Sequence, residues 1–409
     1  MLNSASDQHP QAPEGNSVPT KRKGRGGGML LSLVIAVLLG IALGMLLPDG
    51  WVQPVLFLKQ FSGQIIFFLV PLIILGCVAP SIASLSGNVT RIVVFAFLLA
   101  YLSSVLAAAG AGAVAYAITP LLHITPAEET ATALPALALN LEIPPVMSVM
   151  SALLLALLLG LGVIWTKAAN WAQWLMQFQS IVLALVRRLL MPVLPVFVAT
   201  NFCALTWQGQ LAQLKVFLPV ILIAIVCHYV WLLVLYVVAS LYSRCSGWEV
   251  LRHYLPAYLT ALGTMSSAAT LGVALDCIHR SKVVDRRVSD FTIPLFANIH
   301  LCGSVLTEVL FACVVSQLLY GYLPSPGTLA TFILLLGIFA IGAPGVPGGT
   351  VMASLGIVVS VLGFDDAGTA LIITIFALQD SFGTACNITG DGALTLIVSK
   401  RVAGKSMSF

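Results

Sequence analysis

Two aspartates, an asparagine and a threonine recur at a helical interval inside an apolar stretch of this chain. In LQDSFGTACNITGDG (378–392), Asp380, Thr384, Asn387 and Asp391 are spaced by four, three and four residues. At about 100° per residue they fall on one helical face. A charge at mid-bilayer costs about 2.5–3.5 kcal/mol on insertion scales, so two carboxylates on one face are expected to line a cavity and to meet cations. The candidate cations are a substrate ammonium and a hard metal ion such as sodium, which prefers oxygen ligands. Asp391 can neutralise the ion, and Gly390 offers a place for the helix to loosen and free its carbonyls. The alternative is a buried aspartate paired with a neighbouring helix, although Lys and Arg are scarce in the apolar segments.

A second set lies in FANIHLCGSVLTE (296–308), where His300, Ser304 and Glu308 are spaced by four and line one side. A lone histidine in an apolar helix is equally a satisfied core residue. Glu308 is a proton-carrier candidate, because a buried carboxylate is readily held neutral. A structural hydrogen bond from the neutral acid is the other reading, and both stay open.

These residues need helices that hold them inside a bilayer. The 409-residue chain is 59% hydrophobic and 8% charged, against about 25% charged in a soluble domain. Apolar runs of membrane-spanning length recur without period-two alternation, so an all-α integral membrane protein is expected rather than a barrel. The net charge of +4 carries no nucleic-acid footprint. Neither a Ser/His/Asp set nor HExxH occurs, and the His300/Cys302 pair lacks further ligands, so no enzyme is expected. The eight cysteines are scattered without a CxxC pair and are read as small, buried and unpaired.

Residues 1–28 are polar and are expected to form a disordered cytoplasmic tail, with Lys21, Arg22, Lys23 and Arg25 holding the N-terminus inside. Spans are expected at 29–47 and 54–85 (first region 29–85), 90–120, 146–166 and 170–206 (146–206), 214–243, 289–321 and 365–400. Basic residues near Arg91, Lys167, Arg244 and Lys400 then lie inside, and Glu128 and Glu129 outside. Arg187 and Arg188 break the pattern, so their segment is expected to kink or to lie along the interface. Residues 247–280 have basic flanks on both sides, which predicts a hairpin entering from the cytoplasm with the tip GTMSSA. Residues 326–363 have uncharged or acidic flanks, which predicts a hairpin entering from outside. Its tip, GAPGVPGG, is one that no continuous helix tolerates. Broken backbone at membrane depth survives only where it is buried or lines a wet cavity, and in secondary transporters it marks the binding site.

The two opposed hairpins, with TMSSAAT, GAPGVPGG and DSFGTACNITGD, resemble the dicarboxylate/amino acid:cation symporters, the glutamate-transporter homologues, over about residues 29–400. The resemblance implies eight transmembrane helices plus two re-entrant hairpins in inverted repeats. It further implies an elevator-type homotrimer in a bacterial inner membrane with both termini cytoplasmic. The first, second, fourth and fifth helices would form the scaffold; the rest, with both hairpins, would form the transport domain. It also assigns roles. Asp380 would hold the substrate ammonium, and Asn387 the α-carboxylate, helped by Ser266 and Ser267 at the first tip. Thr384, Ser304 and Thr350 would line the pocket. Asp391 would serve one sodium site with the carbonyls of Phe296, His300 and Asn387. The carbonyls of Asn298, Ala340, Ile341 and Ala343 would serve a second.

The departures from the family pattern are informative. The seventh-helix motif Asn-Met-Asp-Gly-Thr reads His300-Leu301-Cys302-Gly303-Ser304 here, which weakens a third sodium site. Acidic-substrate members place an arginine where this chain has Gly383, so a second substrate carboxylate would enter uncompensated. The expectation is sodium-coupled import of a small neutral L-amino acid, serine or threonine first, with no organic cofactor. Gly383 can instead relieve helix packing. Glu308 matches a proton-cotransport glutamate of acidic-substrate members, which keeps a proton- or sodium-coupled acidic amino acid or dicarboxylate carrier as the alternative. A channel-like or non-transporting receptor is the rival from another class.

Overall fold

The computed structural model describes residues 26–83, 91–122, 124, 134–139, 142–209, 215–343 and 347–403, and among them it contains helices and turns but no strand. The expected tail up to Arg25, the Glu128/Glu129 loop and Lys405 lie outside the described residues.

In chain order the helices are α1 (Gly26–Leu46), α2 (Val52–Ala83), α3 (Arg91–Ile118), α4 (Val149–Thr166), α5 (Ala169–Leu185), α6 (Met191–Trp207) and α7 (Phe217–Ser243). Next come the short α8 (Gly247–Leu251), then α9 (Leu255–Thr264), α10 (Ser267–His279), α11 (Arg286–Ile299), α12 (Cys302–Tyr320), α13 (Pro326–Gly342), α14 (Gly349–Ser360) and α15 (Asp366–Ala403). Among the described residues, six helical runs are long and apolar enough to cross a membrane. The chain is a multi-pass membrane protein. Its outer surface fits a hydrocarbon solvent: Leu38, Leu98, Leu158, Leu222 and Leu241 all face outward, a pattern that water would penalise.

The segment holding Arg187 and Arg188 departs from a regular α-helix. A π turn at Val186–Leu190 carries both arginines and joins α5 to α6. Its wider hydrogen-bond ring, followed by Pro192 and Pro195, interrupts the regular ladder.

Helices α1, α2, α4, α5 and α6 pack mainly on one another, while α3, α7, α9 to α12 and α14 contact α15, and α13 packs on α3, α14 and α2. Helix α12 is buried along nearly its whole length, and α15 is buried from Ala370 to Val398 apart from a few positions. Helices buried on nearly all sides form the centre of such a bundle.

Each of the two segments expected to be hairpins comprises two short helices. Between α9 and α10, Met265 is left-handed (φ 52°) and Ser266 is extended, its hydroxyl accepting from Ala269 N (3.3 Å). Between α13 and α14, Ala343 is extended and Gly348 is left-handed (φ 71°), a conformation that glycine adopts without penalty; residues 344–346 lie outside the described set. The four helices have 10, 13, 17 and 12 residues. At 1.5 Å per residue none exceeds about 26 Å, short of the roughly 30 Å hydrocarbon core.

Candidate functional site

The stripe on α15 is the spine of the site. Asp380, Thr384, Asn387 and Asp391 are all buried. Contrary to expectation, Gly390 does not loosen the helix: α15 runs unbroken from Asp366 to Ala403. The reason is packing. A Cβ on Gly390 would lie 3.0 Å from His300 Cε1 and 3.2 Å from Leu235 Cδ1, so its missing side chain makes room for the imidazole. The side chains of the stripe are closed off from solvent, none more than 5% exposed. A cavity of about 500 Å³ lies between α2, α6, the start of α15 and residues 134–139 and 142–145, lined by Leu56, Gln60, Gln64, Phe67, Phe197 and Ala370.

Each residue of the stripe has at least one defined partner. Asp380 Oδ2 accepts from Gly348 N (2.7 Å), at the foot of α14, and Thr384 also bonds to this carboxylate. Asn387 Oδ1 accepts from Gly303 N (2.7 Å) and Ser304 N (3.3 Å), while its Nδ2 donates to Ser304 Oγ (2.9 Å). Those amides are free because the helix breaks between α11 and α12. His300 (ψ 97°) and Leu301 (ψ 41°) leave the helical region, which exposes the first amides of α12 as donors. The close approach depends on Gly303, whose Cβ would fall 2.6 Å from both Gly383 O and Cys386 Cβ.

His300 and Asp391 form a buried pair. His300 Nδ1 lies 2.8 Å from Asp391 Oδ1, both side chains fully buried, and Nε2 lies 2.9 Å from Ser103 Oγ of α3. Asp391 Oδ2 has no protein partner among the described residues. Glu308, on the same side of α12, bonds through Oε1 to Ser354 Oγ of α14, while its Oε2 has none. The spacing of His300, Ser304 and Glu308 thus marks three points along the wall that faces α15, α3 and α14.

The remaining candidates lie near the ends of α10, α11, α13 and α14. Phe296 O accepts from His300 N (2.8 Å) and Ala340 O from Ala343 N (3.3 Å). Ile341 packs against the apolar cluster that contains Phe296 and Ile299, α13 contacts α11, and the Asn298 side chain donates to Pro294 O (2.8 Å). Ser267 is buried in the first turn of α10, and Thr350 in the first turn of α14. Ser266 is the N-cap of α10, its hydroxyl accepting from Ala269 N.

Several contributors escaped the sequence reading. His228 on α7 places Nε2 2.9 Å from Thr307 Oγ1 and 3.0 Å from Gly303 O, bracing the first turn of α12. Tyr236 donates to Thr389 O (2.9 Å). Ser103 and Ser354 complete the pairs of His300 and Glu308. A polar residue in an otherwise apolar helix was the available signal for all four. All eight cysteines are free thiols, and no cluster of three metal-ligating side chains occurs among the described residues.

A broken helix whose amides bind an asparagine on an aspartate-bearing neighbour, with two helix pairs closing around them, is a specific arrangement. Comparison with known proteins agrees. The sequence model of the sodium:dicarboxylate symporter family matches residues 29–401. The chain belongs to that family. Its relatives include excitatory amino acid transporter 1 of Homo sapiens, 31% identical over 183 residues, 45% of this chain and 32% of the relative. They also include an excitatory amino acid transporter of Caenorhabditis elegans, 32% identical over 149 residues (36% and 29% of the two chains), and human excitatory amino acid transporter 2, 24% identical over 247 residues (58% and 42%). The matched stretches thus span between about a third and two fifths of the length of these symporter-family relatives.

Proposed function

We propose that this chain is a secondary active symporter in which an inward sodium gradient drives import of a small neutral L-amino acid, serine or threonine first. One observation carries the reading: the site buries three carboxyl groups and a single histidine pairs with one of them. Asp380, Glu308 and Asp391 are buried around the α11–α12 break, and among the described residues the salt bridges that touch them reduce to His300–Asp391. Buried carboxylates call for cations. An ammonium at Asp380 and a sodium ion at Asp391, with the carbonyls of Phe296, His300 and Asn387, would meet that demand. A second sodium ion would take the carbonyls of Asn298, Ala340, Ile341 and Ala343.

A zwitterion satisfies this site without a further positive group. Asn387 and Ser304 present amide and hydroxyl donors for the α-carboxylate, with Ser266 and Ser267 at the α9–α10 tip. Thr384, Thr350 and Gly383 bound the side-chain end. Asp380 also links substrate to gating. It holds Gly348 at the foot of α14, so an amine seated there lies beneath the α13–α14 pair. Closure of that pair over substrate and sodium together would couple their binding, each ligand ordering the site for the other. The grouping of α1, α2, α4, α5 and α6 apart from the helices around α15 supports a scaffold and a moving part, hence an elevator. By family resemblance the assembly is a homotrimer in a bacterial inner membrane.

The test is uptake of labelled serine, threonine and aspartate into proteoliposomes under an inward sodium gradient. Concentrative, sodium-dependent uptake of serine or threonine in preference to aspartate is the expected result. Uptake of aspartate or a dicarboxylate instead favours the acidic-substrate reading, which the names of the relatives and the buried Glu308 beside Ser354 support. Equilibration without accumulation would point to a channel.

A further inference from the structure

We infer that His300 is a positioning residue: its imidazole, tethered to Ser103, commits one oxygen of Asp391 and leaves the other as the single anionic ligand for a monovalent hard cation. The inference rests on the proposed sodium site and concerns the His300 side chain, not its carbonyl.

The geometry is specific. An ionised Asp391 can only accept, so Nδ1 carries the hydrogen on the 2.8 Å contact with Oδ1. In the neutral ring Nε2 is then an acceptor, and the Ser103 hydroxyl donates to it at 2.9 Å. The relay Ser103–His300–Asp391 is thus fully satisfied at both ring nitrogens, and it joins α3, the α11–α12 break and α15. Gly390 opens the space the ring fills. At the far end stands Asp391 Oδ2, on a fully buried side chain and without a protein partner among the described residues. A carboxylate held in this way offers one oxygen in a fixed direction. Metal-ligating groups are commonly oriented by such outer partners. Calcium sites commonly use a bidentate carboxylate, which the His300 bond forbids. One anionic oxygen with backbone carbonyls matches a single positive charge.

Asparagine and glutamine separate the two halves of the relay. In His300→Asn the amide nitrogen falls near the position of Nδ1 and can still donate to Asp391. In His300→Gln the amide lies one bond further along, toward Ser103, and the short bond to Asp391 is lost. The readout is thermal stabilisation of the purified full-length chain by sodium chloride, with choline chloride holding ionic strength, and by calcium chloride. His300→Gln should raise the half-saturating sodium concentration about tenfold, the scale of a charge-assisted hydrogen bond. His300→Asn should recover most of that loss, and Ser103→Ala should give an intermediate shift. Calcium should not replace sodium. Equal sodium titrations for wild type, His300→Gln and Ser103→Ala overturn the inference, as does stabilisation by calcium at lower concentration than sodium. Should both His300 variants fail to fold, an unchanged titration of Ser103→Ala overturns it. A wild-type chain that ignores sodium overturns the proposed function instead.

Discussion

Placing an arginine at Gly383 tests the substrate reading most directly. A Cβ at this position would lie 3.4 Å from Ser304 Cα, N and Oγ, which is ordinary contact. The first atom of a new side chain therefore fits, and the chain must extend past Ser304 toward the pocket. Two opposing effects set the outcome. Overpacking costs about 1–3 kcal/mol. The guanidinium adds hydrogen bonds to a substrate carboxylate that contribute about 1.5–3 kcal/mol each. The buried Asp380 and Glu308 lower the cost of introducing the charge. Overpacking weakens every substrate alike, whereas the new bonds help only those with a second carboxylate. The ratio of aspartate to serine affinity should therefore rise by about tenfold to a hundredfold, at about 1.4 kcal/mol per tenfold. The assay is competition of unlabelled aspartate against labelled serine in proteoliposomes, with Gly383→Gln as a control of similar bulk without charge. A Gly383→Arg variant that folds, still transports serine and ignores aspartate refutes the pocket reasoning. Equal gains in the glutamine variant refute the electrostatic part.

Three further outcomes are expected. Asp380→Ala should abolish amino-acid stabilisation in a thermal-shift panel while sodium still stabilises the protein, because Asp391 and its carbonyls are untouched. Gly303→Ala places a Cβ 2.6 Å from Gly383 O and Cys386 Cβ, which forces α12 from α15; the melting temperature should fall by an amount corresponding to at least about 1–3 kcal/mol, and an unchanged melting temperature would disprove the close packing. Glu308→Gln keeps a bond to Ser354 but cannot exchange a proton; if Glu308 carries one, transport by the variant loses its pH dependence, and an unaltered pH profile removes it from that role.

Local rules made much of this protein legible from its sequence. Hydropathy gave the helices to within about three residues at most boundaries, because the hydrocarbon core dictates both their length and their composition. Proline and glycine placed the break at GAPGVPGG, and the 3.6-residue period put Asp380, Thr384, Asn387 and Asp391 on one face of α15. What needed the folded chain was every pairing across helices. His300 finds Asp391 and, 197 residues away, Ser103. Glu308 finds Ser354, and His228 braces Gly303 and Thr307. Gly390 shows the limit of local inference: glycine can loosen a helix, yet here the imbalance it leaves is filled by a neighbour's ring and α15 stays regular. Periodicity and turn chemistry are properties of adjacent residues, so a sequence displays them directly; which polar groups meet depends on how buried helices pack, and no single helix carries that information.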